Sequence, residues 1–220
     1  MRCSDYQGAK PPEGLDLLNG NARYQYTSKQ AQEYFSWHQA VLQERIAYLL
    51  NFCSQDSGVS YEELRTFPDG LRPMWRWFLG IAEVVPLAPD AREEMMRNLM
   101  GQLAGHPKNV IADIVADMIP ERVLSPKTEE ILQDIAMYVG DGFTRRTPKL
   151  YWELLTKAKS EVSYNHAIIN GLTPPGIIPG HTLWLEPIGL VRIQALHLID
   201  GCAEGDDLYK MITKEWMRGT

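Results

Sequence analysis

Apolar side chains recur at intervals of three and four residues in several segments of the chain, a spacing that predicts amphipathic helices. The longest such segment runs from Ser28 to Phe52. A second begins at Pro126, which suits the first position of a helix, with Ser125 as its N-cap. The face that this second helix turns to the core consists of Ile131, Leu132, Ile135, Tyr138 and Val139. We expect its polar side chains to face away from the core, and Gly140 and Gly142 to end it.

The period changes to two after Pro148, where Leu150, Trp152 and Leu154 alternate with their neighbours. Such alternation, rich in aromatic residues, is typical of a half-buried strand. Two further strands are predicted near residues 162–169 and 182–186. We expect Trp152 to pack between the sheet and the preceding helix.

These elements predict an α+β fold that is mainly α, with roughly six to eight helices around a small antiparallel sheet. An all-α fold is the alternative. Residues 28–220 are predicted to form a single globular domain. Residues 1–27 contain several prolines and glycines without periodicity, so we expect an extended N-terminal arm.

Composition narrows the class of protein. A hydrophobic share of 45% and a charged share of 23% are those of a soluble globular protein, and the sequence contains neither a membrane-spanning run nor a signal-peptide core. Cys3, Cys53 and Cys202 lie far apart, which predicts reduced thiols and a cytoplasmic location. The net charge of −6 disfavours binding to nucleic acid and favours a basic partner.

Motifs that name a reaction are absent from the sequence, including the nucleophile elbow, the phosphate-binding loop and the zinc-binding helix. The five histidines are scattered, and no two have the spacing of metal ligands on one helix. His38 is interpreted as a core histidine. Asp113 and Asp117 share a face of a predicted helix, but a solvated face is favoured over a metal site. No metal or cofactor is therefore expected.

One cluster could carry chemistry. If the protein has a catalytic site, the candidates follow the predicted helix and strands, where carboxylate, amide and imidazole groups could meet. Arginines near the helix end would supply positive charge to a substrate carboxylate or phosphate. The catalytic candidates are Asp141, Tyr164, Asn165 and His166, and the ligand-binding candidates are Arg145, Arg146 and Trp152.

The run DIAMYVGDGF, followed by PKLYWELLTKAKSEVSYN, resembles a pattern found in uncharacterised bacterial proteins. That pattern has a helix of the form D-I-x-x-Y-x-G-[DE], an aromatic strand and a K-x-x-V-x-x-N segment. The chain departs from it at Ala167, where the pattern has proline. The resemblance names no catalytic residue. Some proteins with the pattern resemble immunity-type proteins of bacterial toxin systems, which implies a protein partner.

Two functional hypotheses follow. The first is a non-enzymatic, cytoplasmic, protein-binding module of immunity type that engages a basic protein through an acidic surface. Its candidate acids stand in pairs at predicted helix starts: Glu93 and Glu94, Glu129 and Glu130, and Asp206 and Asp207. The second is a small-molecule-binding domain or enzyme with a pocket near residues 140–146 and 164–166.

Overall fold

A computed structural model describes residues 2–13, 15, 26–102, 118–157, 161, 163–172 and 183–217. Within these residues the fold is α+β and mainly helical, as predicted, and the all-α alternative is wrong. The helices are α1 (Ser28–Ser57), α2 (Tyr61–Arg65), α3 (Leu71–Ile81), α4 (Pro89–Gln102), α5 (Pro126–Arg146), α6 (Pro187–Leu196) and α7 (Asp207–Met211). The strands are β1 (Val84–Pro86), β2 (Arg122–Leu124), β3 (Tyr151–Leu154), β4 (Ala167–Leu172) and β5 (Leu183–Leu185).

The three predicted strands form one antiparallel sheet in the order β3-β4-β5. Tyr151 pairs with Asn170 and Leu154 with Ala167. The middle strand begins later than the predicted residue 162, because Asn165 has a φ of 65°, which is incompatible with a strand. β1 and β2 form a separate two-stranded sheet that the sequence did not predict, since each strand has only three residues.

Helix α5 lies at the centre of the molecule. Ser125 caps it by accepting a hydrogen bond from the Thr128 backbone N–H, as predicted. From Thr128 to Phe143 every residue except Glu130 is buried. The expectation that its polar side chains face away from the core is therefore wrong: Asp134 is fully buried. A helix that is buried all round must pair these polar groups inside the protein.

Gly140 and Gly142 do not end α5, which continues to Arg146. Both glycines instead admit an aromatic ring to the helix surface. A Cβ atom at Gly140 would collide with the indole of Trp152, and one at Gly142 would collide with the ring of Phe67. The lack of a side chain serves close packing here, not a turn. Trp152 accordingly packs between β3 and α5, with its side chain only half-buried.

The N-terminal residues 2–13 contact the core in part. Cys3 and Tyr6 are buried, and the backbone N–H of Gly8 donates to Glu130 Oε2 at 3.1 Å. The aromatic segment of α3 also packs inward, with Trp75 fully buried and Trp77 donating from Nε1 to Asp56 at 2.9 Å. The predicted helix that carries Asp113 and Asp117 lies outside the described residues.

Candidate functional site

Three of the seven candidate residues line a pocket, and four do not. Trp152, Asn165 and His166 line it, together with residues of α1, α5 and the start of α6. Asp141, Tyr164, Arg145 and Arg146 are not among its lining residues. The cavity volume is about 30 Å³, which is space for roughly two water molecules. As it stands, the pocket admits the head group of a ligand.

Asp141 and Arg145 pair with each other at the end of α5. Arg145 Nε lies 2.5 Å from Asp141 Oδ2, and Gln43 Nε2 donates to Asp141 Oδ1 at 2.8 Å. Both carboxylate oxygens are thus engaged. Arg146 is exposed and Tyr164 is half-buried in the turn before β4. The arginines therefore do not join Asn165 and His166 as the sequence hypothesis required.

His166 forms a hydrogen-bonded pair with Glu186 inside the pocket. The distance from His166 Nδ1 to Glu186 Oε1 is 2.7 Å, and both side chains are largely buried. Ser163 Oγ donates to the other carboxylate oxygen, Oε2, at 3.0 Å. A carboxylate that fixes one ring nitrogen orients the imidazole and sets its tautomer. Glu186 carries no signal in the sequence, because it follows His166 by twenty residues and belongs to no motif.

Asn165, which lines the pocket, has a left-handed backbone conformation. Its φ of 65° is the only positive value at a described residue other than glycine, and asparagine tolerates this region better than most residues. Its Nδ2 donates to the backbone carbonyl of Tyr26 at 2.7 Å. Oδ1 is buried and has no hydrogen-bond partner among the described residues. A carbonyl accepts only, so the contact with Tyr26 fixes which amide atom is the oxygen.

Trp152 lines the same cavity and carries a second buried polar atom. Its indole lies over Gly140 on one side and meets the ring of His38 edge to face, with centroids 4.6 Å apart. Within the described part of the chain, the buried Nε1 finds no acceptor. An indole N–H is usually satisfied when it is buried.

His38 is a neutral member of the pocket wall, not only the core residue that the sequence suggested. Burial lowers the pKa of His38 to about 4. Its Nδ1 lies 3.2 Å from Gln39 Nε2, and since an amide nitrogen can only donate, Nδ1 accepts and the ring proton sits on Nε2. The helical spacing in α1 places His38 inward but does not reveal the cavity beside it.

No group of three or more metal-ligating side chains occurs within the described ranges. Among the described helices, none combines the length and hydropathy that a membrane span needs. His106 and His181, together with the loop at 173–181, lie outside the described residues. No family model matches the chain, and neither a curated protein nor a solved structure is similar enough to match it.

Proposed function

We propose that this protein binds a small molecule whose head group enters the pocket between Trp152, Asn165 and His166. One observation carries the proposal: Trp152 and Asn165 line one cavity, and each has a buried polar atom, Nε1 and Oδ1, without a partner among the described residues. A buried polar group without a partner costs roughly 1 to 3 kcal/mol. A ligand that bonded to both atoms would recover that cost on binding.

The backbone supports the same location. Asparagine tolerates the left-handed region better than most residues, and residues other than glycine that are held there cluster at functional sites. The left-handed backbone at Asn165 sets the position of its side-chain amide. It also sets the position of the next residue, His166, whose imidazole lines the same pocket. The lining also includes aromatic and aliphatic side chains such as Tyr34, Met137 and Ile188, which suit the body of an organic ligand.

The His166–Glu186 pair gives the pocket the means to exchange a proton with a ligand, because a carboxylate-oriented imidazole can serve as a general acid or base. It does not form a nucleophilic triad with Ser163. Glu186 stands between the hydroxyl and the imidazole, whereas a triad needs the histidine in the middle. The geometry thus supports ligand binding with optional acid–base chemistry, and provides no activated serine.

A non-enzymatic module of immunity type that engages a basic protein has less support. It rests on the net charge of −6 and on the exposed Glu93 and Glu94 of α4. Three of the four other acids proposed for that surface already have a lysine or arginine partner in the protein. Glu129 is buried against Arg192, Glu130 pairs with Lys127, and Asp206 pairs with Arg76. A cytoplasmic location fits both functions, as Cys3, Cys53 and Cys202 are free.

Ligand-observed NMR with a mixed fragment library tests the proposal. We expect a subset of fragments to bind the wild-type protein and to lose binding in Ala136→Val, which adds two methyl groups to the pocket wall. Ala40→Val, the same change at an exposed position of α1, is the matched control and should bind as the wild type does. His166→Gln provides a second pocket variant, and melting temperatures confirm that each variant folds. Equal binding by all four proteins would contradict the pocket as the site.

A further inference from the structure

The chemistry of the pocket wall specifies the head group, given the binding function proposed above. We infer that the ligand presents an uncharged amide, whose carbonyl oxygen accepts from Trp152 Nε1 and whose N–H donates to Asn165 Oδ1. Both protein atoms are buried, and neither has a hydrogen-bond partner in the described parts of the chain. The residues that carry these atoms, Trp152 and Asn165, line the same cavity.

The two atoms have opposite requirements. An indole nitrogen donates and cannot accept, so Trp152 needs an acceptor. The orientation of the Asn165 amide is set by the 2.7 Å hydrogen bond from Nδ2 to the Tyr26 carbonyl, so its oxygen faces the remaining partner and needs a donor. A head group that satisfies both must carry one acceptor and one donor.

Size limits the choice further. The cavity volume of about 30 Å³ corresponds to roughly two water molecules. The oxygen and nitrogen of a primary amide are two heavy atoms on one carbon and replace two waters in number and in hydrogen-bonding role.

Charge excludes the close analogues. Neither lysine nor arginine occurs among the described residues that line the pocket, and His38 is neutral at physiological pH. Glu186 is held by His166 and Ser163. A carboxylate would find no fixed positive charge and would face Asn165 Oδ1 with a second acceptor. An ammonium group would leave the Trp152 indole without an acceptor. Both cases bury an unsatisfied polar atom, which is costly.

Three small probes separate these cases: propionamide, propionate, which has the same shape, and propylamine, which carries an ammonium group on a carbon chain of the same length. The readout is the indole N–H region of a ¹H–¹⁵N spectrum, in which Trp152 is one of six tryptophans and is assigned from the spectrum of Trp152→Phe. We expect propionamide to shift the Trp152 resonance in a saturable manner and to bind about tenfold or more tightly than either charged probe. The indole of Trp75, also buried without a partner among the described residues but not in the pocket wall, should stay in place.

Asn165→Gly suits the left-handed backbone and removes the acceptor, together with the hydrogen bond from Nδ2 to the Tyr26 carbonyl. It should weaken propionamide about tenfold and leave the folded spectrum intact. If propionate or propylamine shifts Trp152 at equal or lower concentration, the amide inference is wrong while the pocket stands. If no probe shifts Trp152 but library fragments still depend on Ala136→Val, the amide inference also fails alone. If neither the probes nor any fragment distinguishes the pocket variants, both proposals fail.

Discussion

Two clusters of buried polar side chains lie against the middle of helix α5, one around Asp134 and one beside Gln133, Ala136 and Met137. They differ in how completely their polar atoms are hydrogen-bonded. Around Asp134, both carboxylate oxygens accept hydrogen bonds: Oδ2 from Tyr6 Oη and Arg45 Nη2, each at 2.5 Å, and Oδ1 from Arg45 Nε at 3.2 Å. In the pocket, Asn165 and Trp152 each keep a buried polar atom that lacks a partner within the described residues. The first cluster is closed and the second is open.

The closed cluster joins three segments of the chain. Arg45 belongs to α1, Asp134 to α5 and Tyr6 to the N-terminal segment, and Arg45 Nη2 also donates to the backbone carbonyl of Gln7 at 2.7 Å. Burial, reinforced by the nearby carboxylate, raises the pKa of Tyr6 well above its usual value, so its hydroxyl remains a donor. The polar groups of the closed cluster hydrogen-bond to one another within the protein. Such mutual hydrogen bonding is typical of a structural network.

The difference distinguishes buried polar groups that stabilise the fold from buried polar groups that could bind a ligand. Buried polar groups that satisfy one another hold segments together, whereas buried polar groups that remain open beside a cavity mark a place for a ligand. Four predictions follow from this contrast, beginning with the largest effect.

Asp134→Ala should destabilise the protein by about 3 to 5 kcal/mol, because it leaves the Arg45 guanidinium buried without its carboxylate. The matched control is Asp206→Ala, which breaks the exposed pair with Arg76 and should cost less than about 1 kcal/mol. Urea unfolding measures both. Similar losses in the two variants would show that the closed cluster is not a structural network.

Acid should destabilise the open cluster through His38. Its pKa is about 4 in the folded protein against about 6.5 in an unfolded chain. The unfolded state therefore binds the proton first. The stability that neutral His38 contributes is full above pH 6.5 and is lost as the pH falls towards 4, by about 3 kcal/mol. His38→Gln should flatten the profile of unfolding free energy in this window. A wild-type slope retained in the variant would place the titration elsewhere.

Gly140→Ala should destabilise the protein by about 1 to 3 kcal/mol, since the new Cβ collides with the indole that forms one wall of the pocket. Gly80→Ala is the control in α3, where the added Cβ meets nothing within 4 Å, and it should be neutral or stabilising by up to about 1 kcal/mol. Thermal unfolding compares them. A stabilising Gly140→Ala would mean that Trp152 does not pack on α5.

The smallest effect concerns the backbone at Asn165. Ala and Gly both remove the side-chain amide, but only Gly adopts a φ of 65° without strain. Asn165→Ala should therefore be about 1 to 2 kcal/mol less stable than Asn165→Gly. Equal stabilities, measured by chemical unfolding, would show that the left-handed conformation is not held in solution.

The sequence predicted the elements of the fold better than their environment. Periodicity located α1, α5 and the strand at Trp152, because apolar spacing follows directly from helix and strand geometry. It could not show that Asp134 is buried, since its partners Tyr6 and Arg45 lie 128 and 89 residues away. The same limit explains Gly140, whose role depends on a ring that arrives from β3.

Three of the residues proposed from the sequence line one pocket, and their role there stays a prediction. Asn165, His166 and Trp152 lie in the same pocket. Asn165 and His166 directly precede β4, and β4 pairs with β3, which carries Trp152. Glu186 and His38 were missed as site residues, because a carboxylate after β5 and a histidine in an apolar helix carry no local signal. Arg145 was predicted to lie near Asn165 and His166 because it is close to them in sequence. In the structure it forms an ion pair with Asp141 on the same helix.

A crystal structure of the protein soaked with propionamide tests the central claim most directly. We expect the amide in the pocket, with its oxygen within hydrogen-bond distance of Trp152 Nε1 and its nitrogen within hydrogen-bond distance of Asn165 Oδ1. The hydrogen bonds around Asp134 should be unchanged. The contradicting result is a pocket that stays without amide at saturating concentration, with Trp152 and Asn165 bonded instead to groups of the protein itself. In that case the open cluster would be closed like the first, and the contrast between them would disappear.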